Sequence, residues 1–190
     1  MIETIPVPVN EPIMSYSPGS PEKKSLKSKL EELKSTQVEI PLIIGGKEIK
    51  TGSTGACVMP HNHQHILATY HKAGEKEVHL AIESALDAWS DWSSQSLEHR
   101  AGIFLKMAEL LAGPYRDLIN ASTVLNMSKN AYQAEIDSAC ELIDFWNFNV
   151  HFARELYKHQ PMYSPEGMKN TTEHRALEGF VFAVTPFNFT

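Results

Sequence analysis

Three groups of side chains and two thiols in this 190-residue chain are of types that can do chemistry. His61, His63 and His65 alternate along the sequence, and on one extended strand all three rings point the same way, as a zinc or nickel site would begin. No fourth ligand is evident and neither cysteine is at the short spacing of structural zinc motifs, so surface or hydrogen-bonding histidines are the reading and no metal is expected. Asp137, Glu141 and Asp144 stand at i, i+4 and i+7, one face of a helix. Such carboxylates can move protons or hold a cation, but on pattern alone they are the wet side of an amphipathic helix. Cys57 and Cys140 have no histidine or cation placed beside them in sequence to favour a thiolate. The last group is Thr185-Pro186-Phe187-Asn188-Phe189-Thr190, directly after the apolar run Phe180-Val181-Phe182-Ala183-Val184. Ligand sites of open α/β sheets lie beyond the carboxyl ends of strands, and an Asn amide there can donate to a developing oxyanion. Taken alone, the pattern fits a structural loop better.

The elements that would position these groups follow from periodicity. Residues 1–36 read as an N-terminal arm: a Pro-rich extended stretch, a turn at Pro18-Gly19-Ser20-Pro21, then a polar helix with Leu26, Leu30 and Leu33 on one stripe. So narrow a stripe does not hold a helix in water, so the arm is expected to lie against a larger body. Gly45-Gly46 between apolar runs predicts a β-hairpin, and a further extended stretch is expected from Cys57 to about His71. Helical spacing of apolar residues predicts helices over 75–92, 97–111 and 130–158, with a shorter one in which Pro114 suits the first turn. After Pro161, strands are expected around Met162-Tyr163-Ser164 and Thr171-Thr172-Glu173-His174, and Phe180 to Val184 predicts a strand buried on both faces of a parallel sheet. The fold class is therefore α/β.

Composition removes several functions. The net charge of -6, with no concentration of Lys and Arg, gives nucleic acid no electrostatic footprint. No apolar run approaches the roughly 18 residues that would span a bilayer, so no membrane is expected. Two cysteines are too few for a disulfide framework and fit a reducing compartment. Residues 1–10 carry a Glu and no Arg and read as neither secretory signal nor presequence.

Several segments, taken in order, carry a resemblance: Asn10-Glu11-Pro12 with Gly19-Ser20-Pro21-Glu22; Pro60 with Asn62-His63-Gln64-His65; Gln133-Ala134-Glu135-Ile136-Asp137 with Glu141-Leu142-Ile143-Asp144-Phe145; and Glu178-Gly179-Phe180 through Asn188-Phe189-Thr190. Together they resemble the glutamate-semialdehyde (delta-1-pyrroline-5-carboxylate) branch of the aldehyde dehydrogenases across the chain. The resemblance implies the N-terminal part of that fold: an incomplete Rossmann-like NAD domain with its helical layer over 37–159, an oligomerisation hairpin over 160–178, and a first buried strand with the oxyanion loop over 179–190. It implies NAD-dependent oxidation of a small-molecule aldehyde, L-glutamate gamma-semialdehyde, to glutamate in proline degradation, a homodimer or higher homo-oligomer, and a mitochondrial matrix location. Residue by residue it makes Asn188 the oxyanion stabiliser, Glu141 and Phe189 substrate-binding, and Thr185, commonly Ser in this branch, a neighbour of the dinucleotide. His61 stands where an aromatic is common. The family's nucleophilic Cys and catalytic Glu match nothing up to Thr190, so the chain is expected to be a piece of a longer enzyme and inactive alone; the alternatives are a short non-catalytic product that binds full-length subunits, or a neighbouring aldehyde dehydrogenase with another substrate.

Overall fold

The computed structural model describes residues 6–189; residues 1–5 of the expected arm and Thr190 of the expected oxyanion loop lie outside it. Helix α1 (Pro21–Ser35) starts where expected, with Ser20 accepting from the Lys23 amide as N-cap and Pro21 in the first turn. Its leucine stripe does find a body. Leu26 is buried with Tyr16 and Ala121, and Leu30 and Leu33 pack at the edge of the same cluster.

The strands follow. β1 (Val38–Ile40) is succeeded by a hairpin of β2 (Leu42–Ile44) and β3 (Lys47–Ile49), joined by Gly45 and Gly46. Both glycines sit at positive φ, 59° and 73°, as a tight hairpin turn demands. The stretch expected as one strand from Cys57 is instead a second hairpin, β4 (Thr54–Met59) against β5 (Asn62–His71), turning at Pro60 and His61. β1 runs parallel to β5 on its other edge, giving a mixed sheet in the order β1-β5-β4.

Four longer helices and a short one complete the described fold: α2 (Glu75–Ser94), α3 (Leu97–Ala112), α4 (Arg116–Met127), α5 (Ala131–Ala134) and α6 (Glu141–Lys158). α4 begins after Pro114 rather than on it. A π-helical turn, Glu135–Cys140, joins α5 to α6, its wider winding marked by the Glu141 amide bonding back to Ile136 O. The long helix expected over 130–158 is therefore continuous in path but not in winding. The core lies where α3 packs on α6, with Ala108, Leu111, Ala139 and Ile143 at its centre and Ala101 with Val150 further along. The apolar stripe of α2, including Val78, Leu86, Trp89 and Trp92, stays exposed among the described residues. No helix among them is long and apolar enough to cross a membrane.

The C-terminal segment departs from expectation. Residues 159–189 form no helix or strand, and Val181, Phe182 and Val184 are exposed, not buried in a parallel sheet. The reason is physical: a strand exists through its hydrogen-bonded neighbour, and no described strand lies beside 180–184. Segment 160–178 doubles back without a main-chain ladder. Gln160 and Thr172 exchange two bonds, Asn170 is held by Ser164 Oγ and Tyr163 O, and the Tyr157 and His174 rings lie 4.4 Å apart.

Candidate functional site

The segment that links α4 to α6 organises most of the chemistry. Ser128 ends α4 in the left-handed conformation (φ 56°), an uncommon state for a residue with a Cβ. Its hydroxyl meets His61 Nδ1 at 2.7 Å, so the β4–β5 turn braces this corner. The three histidines therefore do not share a face: His61 is in the turn, and only His63 and His65 lie on β5. Among the described residues no three His, Cys, Asp or Glu side chains gather as metal ligands. Asn130 then caps α5 in a capping box with Gln133.

Between these fixed points, Lys129 projects its ammonium to Asp137 Oδ2 at 2.5 Å and to the main-chain carbonyl of Asn188. The same ammonium stands 5.0 Å from the centre of the Phe189 ring, a cation–π distance. Asn188 and Phe189 are thereby brought to the start of the π turn. Asn188 is exposed, and no described residue bonds its carboxamide. Thr185 is exposed just before the turn at Phe187 and Asn188.

The other candidates lie elsewhere. Glu141 lines a cleft of about 400 Å³ with Asn10, Asp144, Phe145, Phe148 and Phe152. Asp144 is occupied there by the Asn10 amide and the Glu11 main-chain N–H. The three carboxylates thus divide, Asp137 going to Lys129 and Asp144 to the arm. No described hydrogen bond joins Glu141 to Thr185, Asn188 or Phe189, and none of the three lines its cleft.

Sequence reasoning missed the most buried polar cluster. Glu135, fully buried in the π turn, accepts from Arg116, Asn120, the Tyr16 hydroxyl and the Met14 amide. Arg116 also holds Glu11 and Pro12 O, so one buried guanidinium ties the arm to the helices. Burial alone would raise the Glu135 carboxyl, but the bonds from Arg116, Met14 and Tyr16 outweigh it and hold it below the usual carboxylate range. Burial and the neighbouring Glu135 push the Tyr16 hydroxyl far above its ordinary value. The Cys140 thiol touches the same cluster, and burial with the Glu135 charge pushes it up to about 12. It is a protonated core thiol, not a nucleophile. The only signal in sequence was Glu135 on an otherwise apolar side of the helix, next to Ala134 and Ala139.

Comparison with known proteins places the chain as a whole. A delta-1-pyrroline-5-carboxylate dehydrogenase of Agaricus bisporus is 46% identical over 187 residues, 98% of this chain and 34% of that protein. The mitochondrial delta-1-pyrroline-5-carboxylate dehydrogenase of Homo sapiens is 43% identical over 95% of this chain and 32% of its own length. A crystal structure of the enzyme from Mycobacterium tuberculosis bound with NAD superposes with a TM-score of 0.95 at 46% identity, over 97% of this chain and 35% of that one. The chain thus spans about a third of the length of the curated relatives it matches. With residues 49–190 matching the aldehyde dehydrogenase family pattern, this chain belongs to the aldehyde dehydrogenase family.

Proposed function

We propose that this chain is the oxyanion-bearing part of an NAD-dependent dehydrogenase that oxidises L-glutamate gamma-semialdehyde to glutamate. The observation that carries the reading is the turn at Thr185–Asn188, held on Lys129 with the Asn188 carboxamide exposed, in a chain whose relatives bear the pyrroline-5-carboxylate dehydrogenase name along nearly all of it.

In aldehyde oxidation the carbonyl oxygen becomes negative as the nucleophile adds, and the Asn188 N–H is suited to donate to it. Pro186 restricts the turn, while Phe187 and Phe189 offer apolar surface that excludes water from the reacting carbon. Phe189 and Glu141 would contact the substrate, the carboxylate at the end of its path. The exposed Thr185 hydroxyl is free to face the dinucleotide, and bound NAD would supply the hydride acceptor. Neither Cys57, on β4, nor the protonated Cys140 suits the nucleophile, so these 190 residues alone are expected to form no NADH from aldehyde.

Segment 160–178 is exposed and without its own ladder, which suits addition to the sheet edge of a second subunit. A homo-oligomer would result, and light scattering on a variant lacking 162–173 would then report smaller particles. The mitochondrial names of relatives support a matrix location, which fractionation would test. The substrate is tested by NADH formation from a panel of aldehydes with the enzyme containing this chain. Glutamate gamma-semialdehyde should give the highest kcat/KM, and equal preference for short alkyl aldehydes would overturn the assignment.

A further inference from the structure

We propose that Lys129 is a positioning residue for Asn188, anchored by Asp137 and holding the Asn188 carbonyl and the Phe189 ring so that the Asn188 carboxamide keeps its aim. The inference rests on the reading of Asn188 as the oxyanion donor.

The turn has little else to hold it. From Gly179 to Phe189 the chain makes no strand; Phe180 and Val181 border α2 at Trp89 and Trp92, and among the described residues the nearest long-range hydrogen bond upstream is that from Trp89 Nε1 to Leu177 O at 2.5 Å. An asparagine on so loose a tether samples many orientations, and misplacement by about 1 Å can cost a factor of about 100 in rate. Lys129 removes that freedom at two successive residues. Its ammonium has three N–H donors and meets three acceptors: the Asp137 carboxylate, the Asn188 carbonyl and the face of Phe189. Fixing a carbonyl and the next side chain sets both the position and the rotation of the intervening peptide, and so the direction of the Asn188 Cβ.

The anchor is itself rigid. Ser128, in its left-handed conformation and bonded to His61, fixes the residue before Lys129, and the capping box of Asn130 and Gln133 fixes the residue after it. The Lys129 and Asp137 side chains are only 17% and 25% exposed, so their pair is partly dehydrated and stronger than a surface pair. Asp137 lies in the π turn, while Asp144, on α6, is taken by the arm through Asn10 and Glu11.

The test is a double-mutant cycle in the enzyme containing this chain, with Lys129→Met, Asn188→Ala and both together, and Lys129→Arg alongside. Lys129→Met should lower kcat by about 10- to 100-fold with a much smaller change in KM, and Lys129→Arg should recover most of the loss. In the Asn188→Ala background Lys129→Met should change kcat less than about twofold, because it acts through a group already gone. Equal losses in both backgrounds, or an unchanged kcat in the single variant, would overturn the inference. If Asn188→Ala alone leaves kcat unchanged, the oxyanion reading falls first, and the tether is then judged by NMR. Its ε-methylene protons should be shifted upfield by the Phe189 ring and return to ordinary positions in Phe189→Leu. Ordinary positions in the unaltered protein would overturn the tether as well.

Discussion

Replacing Arg116 with Met should release the N-terminal arm and expose the cost of an unpaired buried carboxylate. In the native fold Arg116 gives two bonds to the fully buried Glu135, one to Glu11 and one to Pro12 O. Removing one partner of a buried ion pair typically costs about 3–5 kcal/mol. The lower end applies here, since Glu135 keeps its bonds from Tyr16, Asn120 and the Met14 amide. At about 3 kcal/mol, for a chain of this size, that is a fall in Tm of roughly 6–12 °C. Acid sensitivity should change too. The native Glu135 carboxyl is held below its ordinary 4.5, so its contribution to stability is present above that pH and is lost as pH falls through the native value. In Arg116→Met the carboxyl rises, and the loss begins at higher pH. Urea unfolding against pH measures both effects, and limited proteolysis should cut within 6–20 first. The exposed pair Lys29–Glu32 supplies the control, with Lys29→Met expected to cost no more than about 0.5 kcal/mol. An Arg116→Met cost equally small, with the arm still protected, would refute the idea that this cluster fastens the arm.

Two other outcomes follow from the same geometry. Tyr16→Phe removes a donor from a buried carboxylate and should cost about 1–3 kcal/mol. Because the Tyr16 hydroxyl is raised in the fold, the stability it brings is present below its ordinary value near 10 and is lost as pH climbs above it, so Tyr16→Phe should flatten the alkaline limb of a pH–stability curve. Gly55→Ala would set a Cβ 2.4 Å from the ring of Tyr70, directly opposite on β5, and should destabilise by about 1–3 kcal/mol, relieved in a Tyr70→Ala background. A cost that persists in that background, read by thermal melts, would place the strain elsewhere.

The parts legible in the sequence were those set by local pattern. Apolar spacing located α2, α3 and the path of α6, and Gly45-Gly46 located the β2–β3 hairpin, because both signals act within a few residues. Features set by distant partners escaped. Strand β1 is only three residues long and exists because β5 lies beside it. The turn at Pro60 and His61 hid inside an apparently continuous extended stretch, and so the histidines seemed to share a face. Arg116 and Glu135 escaped because nothing local says that Glu11 and Tyr16, 105 and 119 residues from their respective partners, fold over them. For Asn188 and Glu141 the pattern left structural readings in front, and family resemblance gave them their roles. The fold adds the Lys129 anchor for Asn188, while Glu141 is placed in a separate cleft by the arm.

The central claim is that Asn188 stabilises a developing oxyanion in aldehyde oxidation. It is tested most directly by the steady-state rate of NADH formation from glutamate gamma-semialdehyde by Asn188→Ala, in the enzyme containing this chain. The account predicts a loss in kcat of about 10²–10³ with melting behaviour unchanged. An unaltered kcat would contradict it.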